Sequence, residues 1–188
     1  MDITLTIAIL GAAVSVVGWV VTYILSTVAE KRRQRLIAQL EFTRQQLEEL
    51  YGPLAFLVLE GEQSFRDLLE ILGRNYVFIE DSISEQDLKT WLFWVENDFF
   101  PRHQKIRDLL ANKTHLIDGE RVPDSFLVFL NHEHSWKLLH ERWQKQGVPY
   151  SWHSKVNASQ EFPKDVLSTF EKLKNRFAHL TGMIYQSK

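Results

Sequence analysis

Between Ile3 and Ala29 the chain runs for 27 residues without a charged side chain. A helix needs only about 20 apolar residues to cross the hydrocarbon of a bilayer. The run is too long for the apolar core of a signal peptide, and no A-x-A cleavage site with a basic leader accompanies it. The pattern predicts an uncleaved signal anchor over residues 1–30. Only Asp2 precedes the run, whereas Lys31, Arg32, Arg33 and Arg35 follow it. Basic residues are retained on the cytoplasmic side. The expected topology is therefore single-pass, with the N-terminus outside and residues 31–188 in the cytoplasm. The same four cations can meet anionic lipid headgroups, at roughly 1 kcal/mol each.

The run is not uniformly greasy. Placed at 100° per residue, Thr4, Ala8, Gly11, Ser15, Gly18, Thr22, Ser26 and Ala29 fall in one sector of about 80°. Lipid does not ask for small residues, but helix–helix association in a membrane does, because small and hydroxyl side chains let backbones approach. Gly11, Ser15, Gly18, Thr22 and Ser26 are thus candidate oligomerisation residues. The seam continues as Leu36, Leu40, Thr43, Leu47 and Leu50, and its alternating spacing favours left-handed packing. The plainer alternative is that the hydroxyls bond carbonyls of their own helix. A sharper alternative is a ring of copies whose small face lines a pore.

The rest of the chain reads as all-α. Residues 31–53 form a juxtamembrane amphipathic helix, with a kink or short break expected at Gly52-Pro53 because proline lacks a backbone donor and restricts its predecessor. Residues 54–188 form a cytoplasmic bundle, and together with the juxtamembrane helix this makes about five to six helices. Helices are expected over 54–72 with Gly73 as its stop, over 85–100 after a Ser84 cap, and from Pro101 to Lys113. Further helices run from Asp124 to Gly147 and from Pro163 to about Met183, with a loop between them. Twelve Phe and six Trp, of which only Trp19 lies in the apolar run, can furnish a sizeable core.

Charge and cysteine content limit the chemistry. All 22 Lys and Arg lie beyond Glu30, and of the 24 Asp and Glu only Asp2 and Glu30 lie outside that region. The domain is therefore balanced in charge, which argues against nucleic acid as a partner. The absence of cysteine fits a reducing compartment and excludes disulfides, iron–sulfur clusters and cysteine-based zinc sites. His132, Glu133 and His134 suggest a metal site by eye, but residues two apart point to different sides of a helix and no H-E-x-x-H is present. No metal or cofactor is expected. Val128, Phe129, His132, Trp136, Leu139, His140 and Trp143 share one face, on which a histidine is either a bonded core residue or a pH-sensitive group.

The stretch "KNRFAH", Lys174 to His179, resembles the R-N-x-x-x-H motif of HEPN-type RNA-cleaving domains, which are helical bundles. The resemblance implies that Asn175 and His179 match the motif and that Lys174 stands where the family has Arg, the pair acting at a dimer interface. Lys is a point charge where guanidinium grips phosphate with two donors, so the change weighs against cleavage. The plainer alternative has Phe177 and Leu180 packed inward and Lys174 and Asn175 in solvent. "LEFTRQQLEELYGPLAFLVLEG", "FFPRHQKIRDLLANKTHLI" and "FPKDVLSTF" resemble a group of uncharacterised bacterial single-span proteins with a helical cytoplasmic part. The layout is also similar to the membrane accessory proteins of type VI CRISPR phage-defence systems. These resemblances imply a bacterial inner-membrane protein and name no reaction. Three functions are expected in order: a non-enzymatic, self-associating interaction module with a possible cytoplasmic protein partner; a defence effector that oligomerises and depolarises the membrane; and a degenerate HEPN-like ribonuclease.

Overall fold

The computed structural model describes residues 3–77, 83–150 and 160–186, with side chains from Ser15 onward and up to Tyr185. Helices α1 (Ile3–Gln45), α2 (Gly52–Leu72), α3 (Glu85–Trp94), α4 (Phe100–Asn112), α5 (Asp124–Gln146) and α6 (Glu161–Gln186) account for most of these residues. No strand occurs among the described residues, so the chain is all-α. It divides into two compact units: Arg44–Asn175, and Met1–Thr43 with Arg176–Lys188.

The chain does not break at Gly52-Pro53. A π-helical turn, Gln46–Tyr51, joins α1 to α2, and backbone angles stay helical through Gln45, Tyr51 and Gly52. The Gly52 N–H reaches back five residues to the Leu47 carbonyl. The turn is one residue wider than an α-helical turn, an irregularity that lets the helix continue past the Pro53 ring. Glycine is required beside it, because a Cβ on Gly52 would lie 2.6 Å from the Leu47 oxygen. The same device recurs at the second proline. Val95–Phe99 is a π turn between α3 and α4, Phe100 N–H bonds Val95 O, and Pro101 sits in the first turn of α4. The two helices expected on either side of Pro101 are therefore one continuous rod.

Each π turn also rotates the face that follows by roughly 100°. Gln46, Leu50, Tyr51 and Leu54 are buried, whereas Leu47, expected on the seam, is only half-buried. Gln46 Nε2 donates to the Leu116 carbonyl at 3.0 Å, and the Tyr51 hydroxyl accepts from the Asp118 N–H at 3.0 Å. The first π turn thus holds the Thr114–Leu116 3-10 turn and its flank in place.

Local caps behave as their chemistry dictates. The Ser84 hydroxyl accepts from the Asp87 N–H at 3.1 Å, and the Asp87 carboxylate pairs with Arg74 at 3.0 Å. Gly73 and Gly147 end α2 and α5 at φ 66°, a left-handed conformation that costs glycine little. The last helix begins at Glu161, two residues before Pro163. Of the expected loop before it, Val148–Tyr150 has no regular structure and residues 151–159 lie outside the described residues.

Within the Arg44–Asn175 unit two apolar clusters form. The larger joins α2, α4, α5 and α6 through Leu54, Val58, Ile106, Phe126, Phe129 and Val166. The smaller gathers Leu68, Trp91, Val95, Phe99 and Trp136. Among the described residues no helix is long and apolar enough to cross a membrane. The side chains of residues 3–14, the first half of the uncharged run, lie outside the described residues.

Candidate functional site

Along α1 the described apolar side chains have no core to enter. Val16, Val17, Trp19, Tyr23, Ile24, Leu25 and Val28 are each more than half exposed. Of the candidate oligomerisation residues, Ser15, Gly18, Thr22 and Ser26 are exposed, and the surroundings of Gly11 lie outside the described residues. A Cβ added at Gly18 would meet nothing within 4 Å. The Thr22 hydroxyl donates to the Gly18 carbonyl at 2.9 Å and the Ser26 hydroxyl to the Tyr23 carbonyl at 2.9 Å. Their hydrogen bonds stay inside the helix, as the plainer alternative has it, and the small face itself remains open. Lys31, Arg32, Arg33 and Arg35 are all exposed.

On α6, Lys174, Asn175 and His179 are exposed, Leu180 is buried and Phe177 is half-buried. Lys174 donates to Glu171 at 3.1 Å and lies 5.3 Å from the centre of the Phe170 ring. The cation is held by its own helix. None of the three side chains lines the cavity of the Arg44–Asn175 unit described below.

The three residues of "HEH" have three different fates. Glu133 is buried at 2 % exposure and is gripped by Arg107, whose Nε donates at 2.7 Å and whose Nη2 also reaches it. His134 points to solvent and His132 is half-buried. His140, a turn or two further on, is buried and bonds Glu96 at 3.2 Å through Nε2. Its Nδ1 is buried without a hydrogen-bond partner among the described residues. No group of three or more His, Asp or Glu is placed to hold a metal ion among the described residues.

Sequence reasoning did not anticipate a cavity lined by aromatic side chains. It occupies about 460 Å³ within the Arg44–Asn175 unit. Leu57, Val58, Gly61 and Phe65 of α2 form one wall, Arg102, His103 and Ile106 of α4 a second, and Phe129, His132 and Trp136 of α5 a third. Trp91, Phe99 and Phe162 line it as well. Arg102 is buried at 5 % exposure. It pairs with Asp98 one turn earlier and has Glu60 3.7 Å from its Nε. Asp98 in turn accepts from the Ser64 hydroxyl at 2.5 Å, and Ser64 accepts from Trp94 Nε1 at 3.1 Å. Gly61 makes room for this arrangement, since a Cβ there would stand 2.9 Å from Arg102 Nη1.

His103 sits in an edge-on contact with Phe129 at 5.2 Å and with Trp136 at 5.8 Å. Its ring is 6.4 Å from that of His132. Burial is the main cause that lowers its pKa to about 4, and the neighbouring His132 and Arg102 push the same way while Asp98 opposes them. At neutral pH the ring is uncharged. Its Nδ1 is shielded from solvent and has no hydrogen-bond partner among the described residues.

No protein-family model, curated protein or solved structure matches this chain.

Proposed function

We propose that this chain is a membrane-anchored module that self-associates through α1 and works by interaction rather than by catalysis. One observation carries the reading: the described half of the uncharged run is a helix whose Val, Ile, Leu and aromatic side chains stand exposed over all of its surface outside the small-residue sector, with Val16, Val17, Trp19, Leu25 and Val28 at 60 % or more. An exposed apolar surface that broad is stable only where something apolar surrounds it. From Ile3 to Val28 it carries thirteen Val, Ile and Leu residues. At about 0.3–0.6 kcal/mol each near a bilayer centre, they favour insertion by about 4–8 kcal/mol. The basic residues Lys31 to Arg35 then lie at the cytoplasmic surface, and Gly18 with its small neighbours offers the face for a second copy.

The test is the mass of full-length protein in detergent micelles, measured by light scattering beside a Gly11→Leu/Ser15→Leu/Gly18→Leu variant. A discrete oligomer that the triple substitution dissociates supports the reading. A monomer in both, or an oligomer of unchanged mass, removes self-association through α1. Wild-type protein that alkaline carbonate strips from membranes removes the anchor. The resemblances to single-span bacterial proteins and to phage-defence accessory proteins agree with this reading as architecture, and no observation raises the pore or ribonuclease alternatives above it.

A further inference from the structure

The cavity of the Arg44–Asn175 unit has the size, lining and incompleteness of a ligand site. Its volume of about 460 Å³ falls within the 300–1,000 Å³ typical of small-molecule pockets. The walls are dominated by rings. Trp91 and Trp136 stack with centres 5.8 Å apart, and Phe129 and Phe162 stack at 4.3 Å, so faces and edges of four aromatic side chains border the space. Flat aromatic compounds pack against such surfaces in offset or edge-on contacts better than flexible chains do.

Charge narrows the occupant further. The buried guanidinium of Arg102 already faces the carboxylates of Asp98 and Glu60, which leaves it no unbalanced attraction for an anion. Glu62 at the border adds one more negative charge. A cation would instead approach Arg102 itself, and the one carboxylate of the lining, Glu62, is exposed to solvent and offsets little of that repulsion. Only an uncharged molecule avoids both costs. Two polar demands remain beside the ion-paired Arg102: Trp136 Nε1 and His103 Nδ1 are both shielded and without a hydrogen-bond partner among the described residues. An unmade bond at a buried polar atom is costly. A hydroxyl can either donate to His103 Nδ1 or accept from it, so it meets the need of the histidine whichever ring nitrogen carries the proton.

We propose that this cavity binds a small uncharged aromatic compound bearing one hydrogen-bonding group, seated between the rings of α3–α5 and bonded to His103. The ligand enters the α2–α4–α5 space and does not depend on α1. The site would make the module responsive to a small molecule whether or not α1 self-associates.

The probe is 2-naphthol, uncharged at pH 7, titrated into full-length protein in detergent micelles and followed by the ring resonances of ¹³C-labelled histidines. The expected result is a saturable shift at His103, with 2-naphthoate, the anion of nearly the same shape, giving none. His103→Phe should weaken 2-naphthol about fivefold, the loss of one hydrogen bond. Ile106→Trp should abolish binding by filling the space, and Val58→Phe blocks it from α2 should that variant fail to fold. Because all samples share the same micelles, partition of the probe into detergent is common to them. No saturable shift in the wild type overturns the proposal, as does equal binding by a folded blocking variant. Equal affinity for 2-naphthoate overturns the selection for an uncharged ligand, and unchanged affinity in His103→Phe overturns the role of that residue.

Discussion

His103 should make the protein lose stability as pH falls, and the size of the loss follows from its position. In the unfolded chain its pKa returns to 6.5, whereas burial among Phe129, Trp136 and His132 holds it near 4 in the fold. The folded value lies below the unfolded one. Between these values the unfolded state binds a proton that the folded state refuses, so stability drops as pH is lowered through that window. At pH 7.5 neither state is protonated and the residue contributes nothing. By pH 5 the difference amounts to about 2 kcal/mol, and below pH 4 it levels off at about 3 kcal/mol. The groups facing the ring are His132 and Arg102, which resist its protonation, and Asp98, which favours it. Other titrating groups change stability over the same range, so the informative quantity is the difference between wild type and His103→Phe. Urea unfolding of the full-length protein in micelles, read by near-ultraviolet circular dichroism, gives that difference at each pH. It should move by about 2 kcal/mol, in favour of the variant, between pH 7.5 and pH 5. A difference that stays constant within about 0.5 kcal/mol would refute the assignment of a neutral, half-buried His103.

Two further substitutions probe features of the same unit. Arg107→Leu leaves the Glu133 carboxylate buried without its cation; breaking a buried pair costs about 3–5 kcal/mol, and because the Arg107 side chain is 35 % exposed we expect about 2–4 kcal/mol by urea unfolding. Adding Glu133→Gln should recover part of that loss, and a double variant no more stable than the single one would show that the cost is packing. Gly52→Ala should destabilise by about 1–3 kcal/mol, since the new Cβ meets the Leu47 carbonyl at 2.6 Å. Gly182→Ala, with open space around it, should instead stabilise by about 0.5–1 kcal/mol. Thermal unfolding midpoints that move the same way in both glycine variants would contradict the π turn.

How much of this was legible in the sequence depended on whether the deciding interaction is local. Ser84, Gly73 and Gly147 announce helix ends because a cap is satisfied within a few residues. Proline rules fell short at Pro53 and Pro101 for a related reason. They describe a regular helix, and each proline here follows a π turn, past which the helix continues. The shift of phase then moved Gln46 and Tyr51 inward, where a 3.6-residue pattern drawn through Leu47 does not place them. Nothing in the spacing of apolar residues signals an inserted residue when the helix continues on both sides.

The polar core shows a subtler limit. Glu133 stands four residues after Phe129 and three before Trp136, and His103 four after Phe99 and three before Ile106, so both occupy apolar positions of their helices. That spacing was available as a signal that each is drawn inward. What it could not supply is the partner, since Arg107 comes from α4 and the rings around His103 from α5. The two cases then diverge physically. Glu133 received a guanidinium and is satisfied, so it stabilises a structure. His103 received aromatic edges and space, which keep it neutral and leave one nitrogen without a protein partner among the described residues. A buried polar group that the fold completes speaks of stability, and one that the fold leaves incomplete beside a cavity speaks of a ligand. That distinction places functional interest on the α2–α4–α5 space of this unit rather than on the histidines of "HEH" or "KNRFAH".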